Sequence, residues 1–280
     1  MEKVNLLIEA LHDRSYMVHN AQYMNKLLPI IIPSNSTWET IYYYAGSLVY
    51  YLVYKAFDTN AAVSFPPPYV LGKQDVLRAF PDLAGKIKGG VVYYDGQMND
   101  SRMNLDLLLT ATLDNYRPGF KPANLLNYCE FREFIKDERG KIIGAKVYDK
   151  LNDKTIEVKT KAIVNCTGVF ADTIRQMDDP KAPKLMSASA GTHLILSKRF
   201  ASSKYGLLYP KTADGRVVFL LPWQGKAIFG TTDTPTEDLT VDPKASFDDM
   251  MFLVQELQKI YPNVPSIELT KAIESKWCGN

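Results

Sequence analysis

A chain of 280 residues that is 46% hydrophobic and 23% charged has the balance of a folded globular protein, with apolar material for one large domain or two modest ones. Lysine and arginine (33) nearly cancel aspartate and glutamate (31), and a net charge of +2 makes no case for nucleic acid. Three cysteines (Cys129, Cys166, Cys278) and three histidines (His12, His19, His193) are scattered without CxxC or metal-ligand spacing, which argues against a disulfide framework or a metal centre and suits a reducing compartment.

Val4, Leu7, Ile8 and Leu11 form a stripe that predicts an amphipathic helix. Glu2, Glu9 and Asp13 interrupt it and argue against a signal or transit segment. Leu27–Pro33, fenced by Pro29 and Pro33, reads as a strand or extended segment at a buried edge. Ile41–Tyr54 is uncharged and rich in tyrosine, but shorter than the roughly 20 residues a spanning helix needs. It is either a helix packed in a cap domain, the reading adopted, or a face resting at a membrane interface, where tyrosine is favoured. Phe65–Pro68 is a stiff loop, Lys73–Phe80 a short helix, and Val91–Tyr94 a strand ending in an Asp95-Gly96 turn.

Asn99-Asp100 offers a cap for a helix through Met103, Leu107 and Leu108. A β-meander follows, with strands at Leu125–Ile135, Lys141–Tyr148, Ile156–Val158 and Ala162–Val164 joined by polar turns at Asp137–Gly140 and Leu151–Lys154. The last strand is read as buried and central. Asn165–Gly168 breaks it, and Ala171, Ile174 and Met177 then recur at helical spacing. Strand, glycine turn and helix is an arrangement that collects ligands at the carboxyl end of a strand, although it also describes an ordinary connection.

The last third is again β-rich. Gly191–Leu196 is a strand, and Val217–Pro222 and Ala227–Gly230 make a hairpin around Gln224–Lys226. Gly230–Asp233 sets the hydroxyls of Thr231 and Thr232 beside a glycine, a composition suited to a polar ligand and equally common in plain turns. Ser246 caps a helix with Met250, Leu253, Val254 and Leu257 along one face, and Ile267–Trp277 reads as a final strand before Cys278–Asn280.

Five segments in one order, Tyr93–Leu105, Ile163–Asp172, Ser189–Leu196, Asp214–Trp223 and Gly230–Glu237, resemble FAD-dependent glycerol-3-phosphate dehydrogenase, and most closely its mitochondrial, quinone-linked type. The resemblance runs over essentially the whole chain. Amine and amino-acid oxidases of the same flavoprotein fold are the alternative, and a non-catalytic remnant is a third reading. The resemblance implies a mixed α+β, α/β architecture. An incomplete Rossmann-like FAD-binding domain with a β-meander (1–20 and 95–185) would be joined to a β-sheet substrate cap (21–94 and 186–276). It further implies oxidation of sn-glycerol 3-phosphate to dihydroxyacetone phosphate and delivery of electrons to a membrane quinone. The setting would be peripheral, at the mitochondrial inner membrane.

Carried over residue by residue, the resemblance puts the backbone of Asn165, Cys166, Thr167 and Gly168, with Phe170, along FAD. Cys166 and Val169 depart mildly from the family's usual residues. Glu130 and Phe131 fall where the strand facing the adenine would run. His193 matches a histidine near the substrate, where an imidazole exchanges protons near neutral pH, although a lone histidine in a strand is commonly a packed residue. Arg216 would bind phosphate through its planar fork or else form a structural ion pair, and Thr231 and Thr232 would contact substrate. No GxGxxG is present, and the family's phosphate-binding arginines are not matched. The expectation is a middle portion of such an enzyme that neither holds FAD nor turns over alone.

Overall fold

A computed structural model of the chain describes residues 2–57, 64–83, 85–114, 117–212 and 215–279. Asp214 of the Asp214–Trp223 motif and the terminal Asn280 lie outside the described residues. Helix α1 (Glu2–Asn20) is followed by strand β1 (Lys26–Ser34) and helix α2 (Thr37–Phe57). Reciprocal capping starts α2: Ser36 Oγ accepts from the Glu39 amide, and Glu39 Oε2 accepts from the Asn35 amide. Next come β2 (Tyr69–Gly72), α3 (Lys73–Ala79), β3 (Gly89–Gln97) and α4 (Asp100–Ala111). The meander is β4 (Cys129–Lys136), β5 (Ile142–Asp149) and β6 (Lys154–Lys159). A 3-10 turn at Gly168–Phe170 leads into α5 (Ala171–Asp178). The remaining elements are β7 (Ser189–Leu196), β8 (Gly206–Tyr209), β9 (Val218–Trp223), β10 (Lys226–Gly230), β11 (Thr234–Pro235), α6 (Phe247–Ile260), α7 (Ser266–Lys271) and β12 (Ile273–Gly279).

The chain divides into two compact units. One comprises Met1–Asp100, Ala190–Thr234 and Asp242–Gly279. Its sheet runs β11-β7-β10-β9-β8-β1-β3-β2, with β12 also pairing β7. The pairs β12 with β7, β7 with β10, β10 with β9, β9 with β8, β1 with β3 and β3 with β2 are antiparallel, whereas Ile30 and Ile31 of β1 meet Gly206 and Leu207 of β8 in parallel. The period-two alternation of the strands turns Leu194, Leu196, Phe229, Leu220 and Leu207 to one face, and α6 buries Leu253, Leu257 and Ile260 against them. Ser246 starts that helix by accepting from the Asp249 amide at 3.0 Å, with Asp248 and Asp249 in its first turn and Lys259 in its last. Elsewhere in this unit α1 and α2 pack through Leu11, Val18, Tyr54 and Phe65. Residues 2–20, which the sequence-based division grouped with 95–185, thus make their contacts with α2 and β3.

The other unit holds Ser101–Ser189 and Pro235–Val241. Its meander is antiparallel, β4-β5-β6. Asp137 Oδ1 accepts from the amides of Arg139 and Lys141 at the first turn, and Asp149 accepts from Leu151 and Asn152 at the second. Helix α5 packs on β4 and is tied to it by Lys136 and Asp178 at 2.7 Å.

Four expectations are corrected. Ala162–Val164 is not a strand: it pairs with no other strand among the described residues, and Val164 is 82% exposed. A short β-branched run becomes a buried strand only where neighbours satisfy its backbone. Leu27–Pro33 is an interior strand rather than an edge, because pairing to β8 is confined to Ile30 and Ile31, between the two prolines. Asp95-Gly96 continues β3 instead of turning, held in register by Leu27 and Leu28. Ile267–Trp277 splits into α7 and β12, since burial of Leu269 beside α6 selects the helical period. The helix expected through Met103, Leu107 and Leu108 is α4, with Met103 buried and Leu107 and Leu108 exposed.

Arg14 ties α1 to its unit. Its side chain is 10% exposed and lies 4.0 Å from the Phe65 ring centroid and 5.1 Å from that of Tyr50. It donates to Tyr50 Oη at 3.0 Å and to the Tyr94 carbonyl at 3.2 Å, with Asp95 at 3.5 Å. Losing the cation–π contacts and both hydrogen bonds should cost about 2–3 kcal/mol. Arg14→Ala is therefore expected to lower the urea midpoint of unfolding, with Arg14→Lys in between, because lysine keeps the charge but not the planar fork. Equal midpoints for all three proteins would show that the cluster does not hold the helix.

Candidate functional site

In the meander-containing unit, Asn165 builds the glycine turn. Its Oδ1 accepts from the Thr167 amide at 3.2 Å and the Thr167 hydroxyl at 2.7 Å, and its Nδ2 donates to the Ala171 carbonyl at 3.0 Å. The side chain thus spans from the loop to the first turn of α5. Gly168 has φ +58°, and a Cβ there would meet nothing within 4 Å. Positive φ favours glycine, and the open space leaves the backbone approachable. Cys166, Thr167 and Gly168 are exposed and Phe170 is half-buried, so four of the expected cofactor contacts are gathered in one turn with Asn165 as its frame.

A groove of about 440 Å³ beside this turn is lined by Val169, Asp172, Gln176, Lys184, Met186 and Glu237 among others. Asp172, which sequence reading passed over, closes its wall. Oδ2 accepts from the amides of Leu185 and Met186, each at 2.8 Å, and Oδ1 accepts from Arg175 at 2.6 Å. The Met186 amide above all, then Arg175 and the Leu185 amide, holds this carboxyl below the usual range. Glu130 and Phe131 lie on β4 of the same unit. Glu130 is engaged by Lys150 at 2.9 Å and Arg132 at 3.3 Å, and Phe131 meets Phe134 edge-on at 4.8 Å.

In the sheet unit, register places Phe219, Gly230, His193 and Trp277 in one row across β9, β10, β7 and β12. That row faces away from the α6-covered core, because Leu194 and Leu196 alternate with His193. The imidazole stacks on Trp277 with centroids 4.2 Å apart and planes at 8°. A Cβ on Gly230 would lie 2.7 Å from His193 Cδ2 and 3.0 Å from Cγ, so only glycine lets the ring lie there. Burial pushes the His193 pKa below its ordinary value, partly offset by the Gly191 backbone.

Thr231 and Thr232 follow directly on Gly230 at the end of β10. Thr232 Oγ1 accepts from the Thr192 amide at 2.8 Å, and the Thr231 hydroxyl donates to the Thr232 carbonyl at 2.8 Å. Asp249 at the start of α6 fastens this segment, accepting from the hydroxyls of Thr234 at 2.9 Å and Thr192 at 3.3 Å. Arg216 is not brought to this row. Its guanidinium lies 5.5 Å from the Phe252 ring centroid of α6, on the helix-covered side of the sheet. Trp277 and Asp249 were not singled out from sequence as functional. A tryptophan in the terminal segment was a visible signal, but its partner His193 lies far away in the chain, on β7.

The family model described as DAO, FAD dependent oxidoreductase, matches residues 39–280. The chain is 38% identical over 261 residues to the mitochondrial glycerol-3-phosphate dehydrogenase of Macaca fascicularis, covering 92% of this chain and 34% of that protein. It is 35% identical over 285 residues to the probable mitochondrial glycerol-3-phosphate dehydrogenase of Dictyostelium discoideum, covering 99% and 42%. The structure of glycerol-3-phosphate dehydrogenase from Bacillus halodurans complexed with FAD matches with a TM-score of 0.73 at 24% identity, covering 97% of this chain and 46% of that one. That likeness is one of fold. The chain spans 34–42% of the length of these two curated relatives.

Asp172 supplies a test of the groove wall. A carboxylate with a lowered folded pKa contributes stability that is present above its unfolded value of about 3.9 and lost as pH falls through the folded value. Asp172→Asn should speed amide exchange at Leu185 and Met186 at neutral pH, and should remove that part of the acid dependence. Unchanged protection at both amides would mean that other contacts hold the wall.

Proposed function

The chain belongs to the FAD dependent oxidoreductase family, with its flavoprotein fold, and on that premise we propose that the protein oxidises sn-glycerol 3-phosphate. A hydride leaves C2, a proton leaves the C2 hydroxyl, and dihydroxyacetone phosphate is the product. Identity of 38% to a mitochondrial glycerol-3-phosphate dehydrogenase supports the substrate. The observation that carries the chemistry is His193, an imidazole whose burial disfavours its charged form, held on the face of β7 away from the α6-covered core and stacked on Trp277.

The Asn165–Gly168 turn fits a flavin nucleotide. Its glycine lacks a side chain where one would meet open space, and its frame is hydrogen-bonded from within. Asn165, Cys166, Thr167, Gly168 and Phe170 would hold FAD, with Glu130 and Phe131 toward the adenine. When bound, FAD supplies hydride acceptance. His193 takes the hydroxyl proton, and because Nδ1 is buried the exchanging atom is Nε2. Thr231 and Thr232 orient the substrate from the end of β10. Arg216 serves packing on Phe252 in this reading.

A membrane quinone is the onward electron acceptor, and the protein works at the mitochondrial inner membrane as a peripheral component. Support for the compartment comes from the relatives' names. Among the described residues no helix is long and apolar enough to cross a membrane. Helix α2 exposes Trp38, Ile41, Tyr42, Val49 and Leu52, side chains suited to an interface.

Two measurements test this. Anaerobic sn-glycerol 3-phosphate should bleach the oxidised flavin band of the FAD-loaded protein, whereas glycine and proline should not. Bleaching by an amino acid alone would move the assignment to the amine and amino-acid oxidases, and bleaching by none would leave a non-catalytic protein. In the active protein, His193→Ala should cut turnover by about 10²–10⁴-fold. Turnover close to that of the parent would make His193 a packing residue.

A further inference from the structure

We propose that Trp277 is a positioning residue for His193: its indole and the Gly230 backbone form a slot that holds the imidazole in one orientation. This rests on the catalytic reading of His193 for its kinetic consequence, but not for its geometry. Three adjacent strands carry the slot in one row, Gly230 on β10, His193 on β7 and Trp277 on β12. One wall is the indole, parallel to the ring within 8° at 4.2 Å. The opposite wall is Gly230, where an added Cβ would come within 2.7 Å of the ring. The imidazole–Cβ torsion of a histidine is otherwise broad, and two flat walls remove that freedom.

A histidine that exchanges protons is ordinarily oriented by a hydrogen bond to its second nitrogen. Here Nδ1 is buried without a partner of hydrogen-bond geometry among the described residues, although the Gly191 backbone approaches the ring. Packing by the two walls therefore adds to the Gly191 backbone contact in orienting the ring. Core stability does not demand the indole at this place, for Trp277 lies in neither buried cluster and is 46% exposed. The imidazole's strand neighbours are uncharged: Gly230 on β10 with Thr231 just beyond it, Thr192 on β7, and Trp277 with Cys278 on β12. Desolvation by the slot is accordingly the main electrical influence on the ring.

The test uses the protein with Trp277→Ala and Trp277→Phe, the latter keeping an aromatic wall. An NMR titration of the His193 ring protons should give an apparent pKa below the ordinary value of about 6.5 in the parent and in Trp277→Phe. Trp277→Ala should raise it. In the FAD-loaded protein, Trp277→Ala should lower kcat for sn-glycerol 3-phosphate by about 10–10²-fold, the size of a misplacement effect, and move the acid limb of the pH profile upward. Trp277→Phe should restore both.

An unchanged His193 titration in Trp277→Ala would overturn the slot. If Trp277→Ala does not fold, the parent's own fluorescence decides. Tryptophan emission should fall as His193 gains its proton, His193→Gln should abolish that step, and a step that survives His193→Gln would overturn the contact. Should His193→Ala keep full turnover while the titration still shifts, the catalytic reading fails and the slot stands as a structural feature.

Discussion

The pleat of β7 is the constraint on which the sheet unit depends. Successive side chains on a strand point to opposite faces. Burying Leu194 and Leu196 under α6 therefore puts His193 on the other face. A slip of one residue would drive the imidazole into the core and the leucines out. Two glycines and one carboxylate hold the register. Gly230 admits the ring from one side, Gly191 leaves room for the Thr231 hydroxyl at the same end, and Asp249 clamps Thr192 and Thr234 to the first turn of α6. Hydrophobic burial on one face thus positions polar chemistry on the other.

The meander-containing unit solves a different problem with local hydrogen bonds. Its exposed turn at Asn165–Gly168 has no strand to support it, so Asn165 supplies three hydrogen bonds of its own. Asp172 does the same for the segment at Leu185 and Met186. Short polar side chains that bond nearby backbone are favoured in turns because they replace ladder partners. The result is a glycine corner framed by its own hydrogen bonds, with its backbone left open.

Elements whose signal is local were legible in the sequence. The Ser246 cap, the Gln224-Gly225 hairpin, the polar turns at Asp137 and Asp149, and helices α1 to α6 were all readable from spacing and turn chemistry. The family was legible too, since five motifs in one order are far more specific than a single glycine turn. Ala162–Val164 misled because β-branched composition does not reveal whether a neighbouring strand exists. Ile267–Trp277 misled because a short apolar segment fits both periods until a packing partner selects one.

Taken by itself, the sequence determined the class of fold, the glycine turn with its following helix, and the presence of a histidine in a β-rich segment. Those properties depend on residues within a few positions of one another. Tertiary structure alone decided that β1 is interior, that Arg216 lies with Phe252 on the helix-covered side, and that Trp277 stacks on His193. Each of these joins residues far apart in the chain through strand register and the burial of one sheet face. Side-chain spacing carries no record of such pairing, which comes into being only when the strands align.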